Sequence, residues 1–339
     1  MNLPDILPQM LQQLKGFARC AAATCAAILA ACIACDASAQ AWPVKPVRMV
    51  VSYPTGTSGD VVARIVAQKM SEGFGVQVIV DNRPGANGHI GNEIVARAAP
   101  DGSTLLMGSD IQFGVSPVLY PKLPFDVVRD YAPITLVAVV DLVIAAHPSV
   151  GVNTLADFVR LARENPGRFH YASTGNGSTH QLYLELLKGE GGFESVHVPY
   201  KGSSQAMPDL LAGQVQLMLM GVPQVLNNLR SNRLVALAVG SPRRLAVLPD
   251  VPTIAESGFP GFEANNIWGL WAPAGTAPEI VDRIWREVTR DLQLPDVREK
   301  FAASGMTGLA PGPDDLARRM AADRAKWAKV VAERGIRLD

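Results

Sequence analysis

The sequence has 339 residues, 48% of them apolar, and its 31 lysines and arginines balance 31 aspartates and glutamates. That length allows two ordinary domains with ample core material. A formal net charge of zero, without runs of one sign, argues against nucleic acid or another polyelectrolyte as partner, since either would call for a charged stripe.

Lys15 and Arg19 precede an apolar, small-residue stretch from Cys20 to Cys35, and Ala37-Ser38-Ala39 fits a cleavage site ahead of Gln40. The pattern predicts a secretory signal peptide over residues 1–39. The apolar run falls short of the ~20 residues that a membrane span needs. Leu29-Ala30-Ala31-Cys32 resembles a lipobox and leaves lipoprotein anchoring through Cys32 as the alternative, and Met10 is an alternative start. All four cysteines (Cys20, Cys25, Cys32, Cys35) lie in this segment, so disulfides, thiol chemistry and cysteine metal sites are not expected in the mature chain. With no further long apolar run, the mature chain is expected to be soluble.

The β-branched run Val47 to Tyr53 between Pro46 and Pro54 reads as a strand. A turn cluster, Pro54 to Gly59, leads into a helix over Asp60 to Met70, with Val62, Ile65, Val66 and Met70 on one face. Val76 to Val80 and Thr104 to Gly108 read as strands flanking a glycine-rich loop and a helix over Ile90 to Arg97. This alternation implies a parallel α/β sheet. Leu136 to Ala146 reads as a strand leaving the first lobe. A second α/β lobe follows, with strands at His170 to Ser173, Ser195 to Pro199, Val215 to Met220 and Leu234 to Val239. Its helices are expected over Leu155 to Glu164, His180 to Lys188, Ser204 to Ala212 and Pro223 to Asn228. Trp268 to Ala272 reads as a returning strand, and amphipathic helices over Pro278 to Leu292 and Asp314 to Arg334 are expected to pack on the first lobe. The expected division is a discontinuous first lobe, 42–142 plus 266–339, and a second lobe, 143–265.

The two lobes echo one another. Val50-Val51-Ser52-Tyr53, a small-residue turn and a helix opened at Asp60 are matched by His170-Tyr171-Ala172-Ser173, a Gly/Ser turn and a helix opened at His180. Loops at the carboxyl ends of strands are where open α/β sheets bind ligands. A helix start offers unpaired N–H groups and partial positive charge, and glycine lets a ligand approach the backbone. Gly56 to Gly59 and Gly175 to Thr179 therefore suit a carboxylate, with Thr57, Ser58, Ser173, Thr174, Ser178 and Thr179 adding hydroxyl donors. Both loops also read as plain capping turns. Asp60 suits the helix dipole, or an acceptor for a ligand N–H or O–H, and Asp110 reads either as a cleft residue or as a solvated loop acid.

Enzyme signatures are missing: the sequence carries no G-x-S-x-G elbow, no Walker loop, no G-x-G-x-x-G after a strand and no H-E-x-x-H. The other histidines (His89, His147, His170, His197) do not stand at ligand spacing with His180, so no metal is expected.

Longer motifs run in order along the chain. They are Trp42 to Arg48 leading into Pro54-Thr55-Gly56 and Asp60 to Arg64, then Asn82 to Ala86 and Pro100 to Leu106. They continue with Tyr171 to Ser173, His197-Val198-Pro199-Tyr200-Lys201-Gly202, Leu248 to Thr253, Gly269 to Thr276 and Lys326-Trp327. Together they resemble the Bug receptors, the substrate-binding proteins of tripartite tricarboxylate transporters. The resemblance implies a periplasmic-binding-protein-like (Venus flytrap) fold: two α/β lobes joined by crossing strands. It implies a periplasmic receptor without catalysis or cofactor, whose partners are a small organic anion (a dicarboxylate, an amino acid or an aromatic acid) and the membrane subunits of an ion-coupled transporter. A ligand-dependent sensor is the alternative, and the chain is expected to be a monomer.

The resemblance also implies that the loops Pro54–Asp60 and Ser173–His180 hold the carboxylate. The candidate binding residues are Tyr53, Gly56, Thr57, Ser58 and Asp60; Ser109 and Asp110; Ser173, Thr174, Gly175, Ser178, Thr179 and His180; and Tyr200 and Gly202. Two departures stand out: Gly56-Thr57 replaces the family's usual Gly-Gly, and Asp110 stands where small or neutral residues are common. Two acids at the cleft would disfavour a citrate-like trianion and suit a singly charged ligand, or one with an amino or amide group. Hinges are expected near Ile144–His147 and Asn266–Gly269, where the chain crosses between lobes.

Overall fold

The computed structural model describes residues 42–336, so the expected leader and its four cysteines lie outside the described residues. Residues from Lys45 onward form one compact unit; of the other unit, Met1–Val44, only Trp42–Val44 are described. No helix among the described residues is long and apolar enough to cross a membrane.

Strand β1 (Val47–Val51) is buried along nearly its whole length, as a strand covered by helices on both faces must be. It pairs in parallel with β2 (Val78–Asn82) and β3 (Thr104–Ser109). Between these strands run α1 (Ser58–Phe74) and α2 (His89–Ala96). Helix α1 buries Val62, Ala63, Val66 and Met70 at helical spacing and stops at Gly75, whose φ of +68° no β-carbon opposes.

A wide helical turn at Ile111–Val115 and the short α3 (Ser116–Leu119) lead to β4 (Tyr131–Ala146), the strand on which the architecture turns. From Tyr131 to Asp141 it pairs antiparallel with β9 (Asn265–Pro273), which also pairs antiparallel with β3. From Leu142 to Ala146 it pairs instead with β7 (Leu217–Gly221) and β8 (Val235–Val239). The second lobe continues as β7–β5–β6, with β5 (His170–Ser173) parallel to both β7 and β6 (Val196–Pro199). Its helices are α4 (Leu155–Glu164), α5 (Thr179–Gly191), α6 (Ser203–Leu211) and α7 (Val222–Arg230). The chain therefore forms two α/β lobes joined by crossing strands.

The sheet is mixed, not parallel throughout as the alternation implied, because β4 and β9 enter from the opposite lobe and run antiparallel to their neighbours. The partners of β4 change between Asp141 and Leu142, earlier than the expected hinge at Ile144–His147. The return crossing lies at Ala264–Asn265, where the backbone of Ala264 bonds Gly240 and Leu142.

Helix α8 (Pro278–Gln293) matches expectation; α9 (Pro295–Ala303) and β10 (Met306–Gly308), which pairs with β4, were not foreseen. Helix α10 (Pro313–Arg334) does not pack on the first lobe alone. Leu316 and Met320 join the core of Phe113, Leu136 and Trp271, whereas Trp327 joins the second-lobe core of Leu182, Tyr183 and Phe262. The Trp327 ring meets Tyr183 edge-on at 5.1 Å. A twenty-two-residue helix is long enough to reach both lobes at 1.5 Å per residue.

Candidate ligand-binding cleft

The first loop is built around Asp60. Its carboxylate accepts the Gly56 N–H at 2.9 Å, Arg64 Nε at 3.0 Å and Asn82 Nδ2 at 3.0 Å, and pairs with Arg64 Nη2 at 2.9 Å. Burial opposes ionisation, but Arg64, the Gly56 N–H and Asn82 outweigh it and hold the carboxyl below its ordinary range. Gly56 takes φ +81° to present its N–H. Thr57, the residue before α1, donates its hydroxyl to the Pro54 carbonyl at 2.9 Å and so does not cap the helix. The first N–H groups of α1 are left without a capping side chain.

The second loop is built from neutral groups. Ser173 Oγ lies 2.6 Å from His197 Nε2 and accepts the Gly175 N–H at 3.1 Å. Thr174 Oγ1 and His180 Nδ1 share a hydrogen bond of 2.9 Å. Gln181 Oε1 accepts the Gly177 N–H at 2.7 Å, and Ser178 Oγ accepts the Gln181 N–H at 3.3 Å, capping α5. Burial pushes the His180 imidazole down to about 4, so it is neutral at pH 7.

The loops face one another across a row of three chambers. The central one, about 30 Å³, has room for about two waters. Tyr53, Thr57 and Ser58 from the first lobe and Thr174 and His180 from the second border it, and Trp268 of β9 closes it. No charged side chain lines it. Tyr53 and Trp268 meet edge-on at 5.4 Å. The indole also fills the place of a side chain at position 59: a β-carbon on Gly59 would lie 2.3 Å from ring carbons of Trp268. Trp268 Nε1 is a buried donor without a partner among the described residues.

A side chamber of about 280 Å³ adjoins it, sharing Tyr53, Thr174 and Gly202, and adds Asn87, Tyr120 and Lys201. An outer chamber of about 590 Å³ lies between α6 and α7 and reaches Gly56. Hydrogen bonds cross between the lobes: Ser58 Oγ donates to Gln224 Oε1 at 3.3 Å, Asn87 Nδ2 to the Asn176 carbonyl at 2.5 Å, and Asn266 Nδ2 to Thr179 Oγ1 at 2.8 Å.

The two-lobed architecture matches that of known periplasmic binding proteins. The model of the tripartite tricarboxylate transporter family receptor matches residues 62–336. The chain belongs to that receptor family. It is 37% identical over 314 residues to protein BugT of Bordetella pertussis (strain Tohama I), covering 92% of this chain and 96% of BugT. The structure of R. palustris Rpa4515 with adipate superposes with a TM-score of 0.85 at 32% identity, covering 87% of this chain and 99% of that one. MatC from Rhodopseudomonas palustris with bound malate gives a TM-score of 0.79 at 30% identity, covering 86% and 100%. These are solute-binding receptors and not enzymes, and the fold is that of periplasmic binding proteins.

In this receptor Tyr53, Thr57, Ser58, Thr174, Gly175, His180, Tyr200 and Gly202 line the central or side chamber, and Gly56 lines the outer one. The Tyr200 hydroxyl turns away to Asp209 at 2.6 Å, leaving its ring in the wall. Ser173, Ser178 and Thr179 are buried within the second loop and shape it. Ser109 donates to Gln112 at 2.7 Å and sits behind Tyr53.

Asp110 corrects the expectation of a cleft acid. It lines a separate cavity with Tyr183, Arg319, Asp323 and Trp327, and its carboxylate accepts the Ile267 N–H at 3.4 Å. Burial, reinforced by Asp323, pushes it up to about 8, so it carries a proton at neutral pH. With Asp60 neutralised by Arg64 and Asp110 elsewhere, the repulsion expected of two rim acids does not arise. The sequence reading missed Trp268, Gln224, Asn266 and Asn87 as cleft residues. Asn265-Asn266 at the head of an otherwise apolar strand was the one visible signal.

Proposed function

We propose that this chain is an exported periplasmic receptor that captures a small organic carboxylate between its lobes and delivers it to the membrane subunits of a tripartite transporter. The observation that carries the reading is the uncapped start of α1, which opens beside an uncharged cavity bordered by residues of both lobes. Oriented N–H donors at a helix start hold an anion without a counter-charge. Adipate and malate in the related structures are carboxylates of the size that the central and side chambers together would take. The lobes, 42–142 with 266–339 and 143–265, close on the ligand as rigid bodies, because only the closed state offers it both loops. Export would leave a mature chain beginning at Gln40 that works as a monomer.

The test is calorimetry on the purified mature protein against adipate, malate, benzoate and aspartate, with mass spectrometry of any co-purified ligand. One-to-one binding of at least one carboxylate is expected, lost in Ser178→Asp, whose new charge would repel an anion. Failure of all carboxylates to bind, or unchanged affinity in Ser178→Asp, would remove the site from this cleft. Intact mass should start at Gln40; a lipid adduct on Cys32 would replace free export by anchoring.

A further inference from the structure

Two side chains stand between the central chamber and the outer one. Gln224, in the first turn of α7, borders both, as does Ser203 at the start of α6. Its Oε1 accepts from Ser58 Oγ across the cleft at 3.3 Å, and its Nε2 donates to Ser203 Oγ. The carboxamide is thus held from both lobes and cannot turn aside without losing both bonds. The two chambers beside the central one differ in chemistry. The side chamber presents the Asn87 carboxamide, the Tyr120 hydroxyl and Lys201. The outer chamber presents Met207, Leu211, Ala212 and Met220, with Arg233 also in its wall. The Arg233 side chain is exposed and makes no ion pair with any described residue.

We infer that Gln224 is a specificity-determining partition: it confines the ligand to the central and side chambers and excludes monocarboxylates with an apolar chain. The inference rests on the carboxylate reading of the cleft. A carboxylate seated at the start of α1 has two directions in which to extend. The open one carries the Asn87 carboxamide, the Tyr120 hydroxyl and Lys201, and takes a short, hydroxylated, amino-bearing or second-carboxylate tail. The other is apolar, and Gln224 blocks it. An alkyl chain pushed that way would break both carboxamide bonds and leave a half-buried amide unpaired, which cancels what burying the chain would contribute. Shortening the residue removes the block and joins the central cavity to a methionine-lined chamber of about 590 Å³. Methionine side chains adapt readily to varied apolar guests.

The experiment is isothermal calorimetry of wild type, Gln224→Ala and Gln224→Ser with straight-chain carboxylates: acetate, butyrate, hexanoate and octanoate, then adipate and sebacate. In the wild type, affinity should not rise with chain length. In both variants it should rise by roughly fourfold per methylene over the first few carbons, the factor for burying a methylene group. Sebacate should bind the variants more tightly than octanoate, and Arg233→Gln on the Gln224→Ala background should erase that difference. Because either variant alone suffices, failure of one to fold leaves the test intact. If the wild type binds short carboxylates and the variants show the same flat profile, the partition is wrong and the carboxylate reading stands. If no protein in the set binds any carboxylate, including adipate, the reading of the cleft falls and the partition with it.

Discussion

Pro54–Asp60 is folded around a carboxylate, whereas Ser173–His180 is folded around hydroxyls, a carboxamide and a neutral imidazole. Both loops join a strand to a helix at the carboxyl edge of a sheet, and from sequence they look like copies. Their hydrogen bonds differ in what they leave free. In the second, Ser178 takes the Gln181 N–H that α5 would otherwise offer. In the first, the Thr57 hydroxyl is spent on the Pro54 carbonyl and Asp60 on Gly56, so the N–H groups opening α1 stay available. On the proposed carboxylate reading the first loop grips the anion and the second is a shaped neutral wall, and each variant below bears on that division.

The largest effect is expected at Asp60. Asp60→Asn keeps the shape, but it turns a donor toward groups that are themselves donors and removes the ion pair of Arg64. Loss of charge-assisted bonds of this kind costs roughly 1–3 kcal/mol, with the low end favoured because Arg64 is half exposed. The melting temperature should fall by several degrees at pH 7, and affinity for any carboxylate that binds should weaken by at least about tenfold, since the Gly56 turn loses its anchor. The folded carboxyl ionises below its ordinary range, so the stability it contributes is present above about pH 4 and is lost as the pH falls through and below that point. Melting curves of wild type and variant should therefore converge in acid. A gap that stays as wide in acid as at pH 7 would mean that the carboxylate does not hold the loop.

Ser178→Ala removes the cap of α5 and should cost about 1 kcal/mol of stability, the usual value for a lost N-cap. Its effect on carboxylate affinity should be several times smaller than that of Asp60→Asn, because the freed Gln181 N–H belongs to the wall and not to the grip. An equal or larger loss of affinity would reverse the division of labour between the loops.

Much of this was legible from sequence, and the failures have physical reasons. Helix α4 (Leu155–Glu164) and strand β5 (His170–Ser173) lie where expected, since Pro166 stops the helix and the small-residue turn after Ser173 ends the strand, both local signals. The mixed sheet was not legible, because the direction of β4 and β9 depends on which lobe each joins. The reach of α10 was hidden for the same reason: its apolar stripe does not say that Leu316 and Trp327 serve different cores. The two loops could be named, yet Asp110, read from its place after a strand, turns into another cavity through the helical turn that follows. Trp268 and Gln224 reach the site from elements that carry no loop motif, so only the fold brings them there.

The smallest effect is expected at His180, where the comparison predicts almost none. Burial holds its imidazole at about 4, well under the 6.5 of an exposed histidine. Between those values the unfolded chain takes up a proton that the folded site refuses, so this residue lowers stability as the pH falls through that window. Affinity is another matter. From pH 5 to pH 7 the folded His180 is neutral throughout, and it gives a bound anion no charge to lean on. Other groups do titrate near the crossing strands, including Asp141, which burial and Glu263 raise to about 6, so the raw pH profile of binding is no test of His180. The ratio of two profiles is. With His180→Asn, which keeps a neutral side chain near Thr174, the ratio of variant to wild-type Kd should stay constant from pH 5 to pH 7, whatever its size. A ratio that climbs steadily as the pH falls would show an imidazolium bound to the anion, and the second loop would then hold charge in the complex, as the first loop does without ligand.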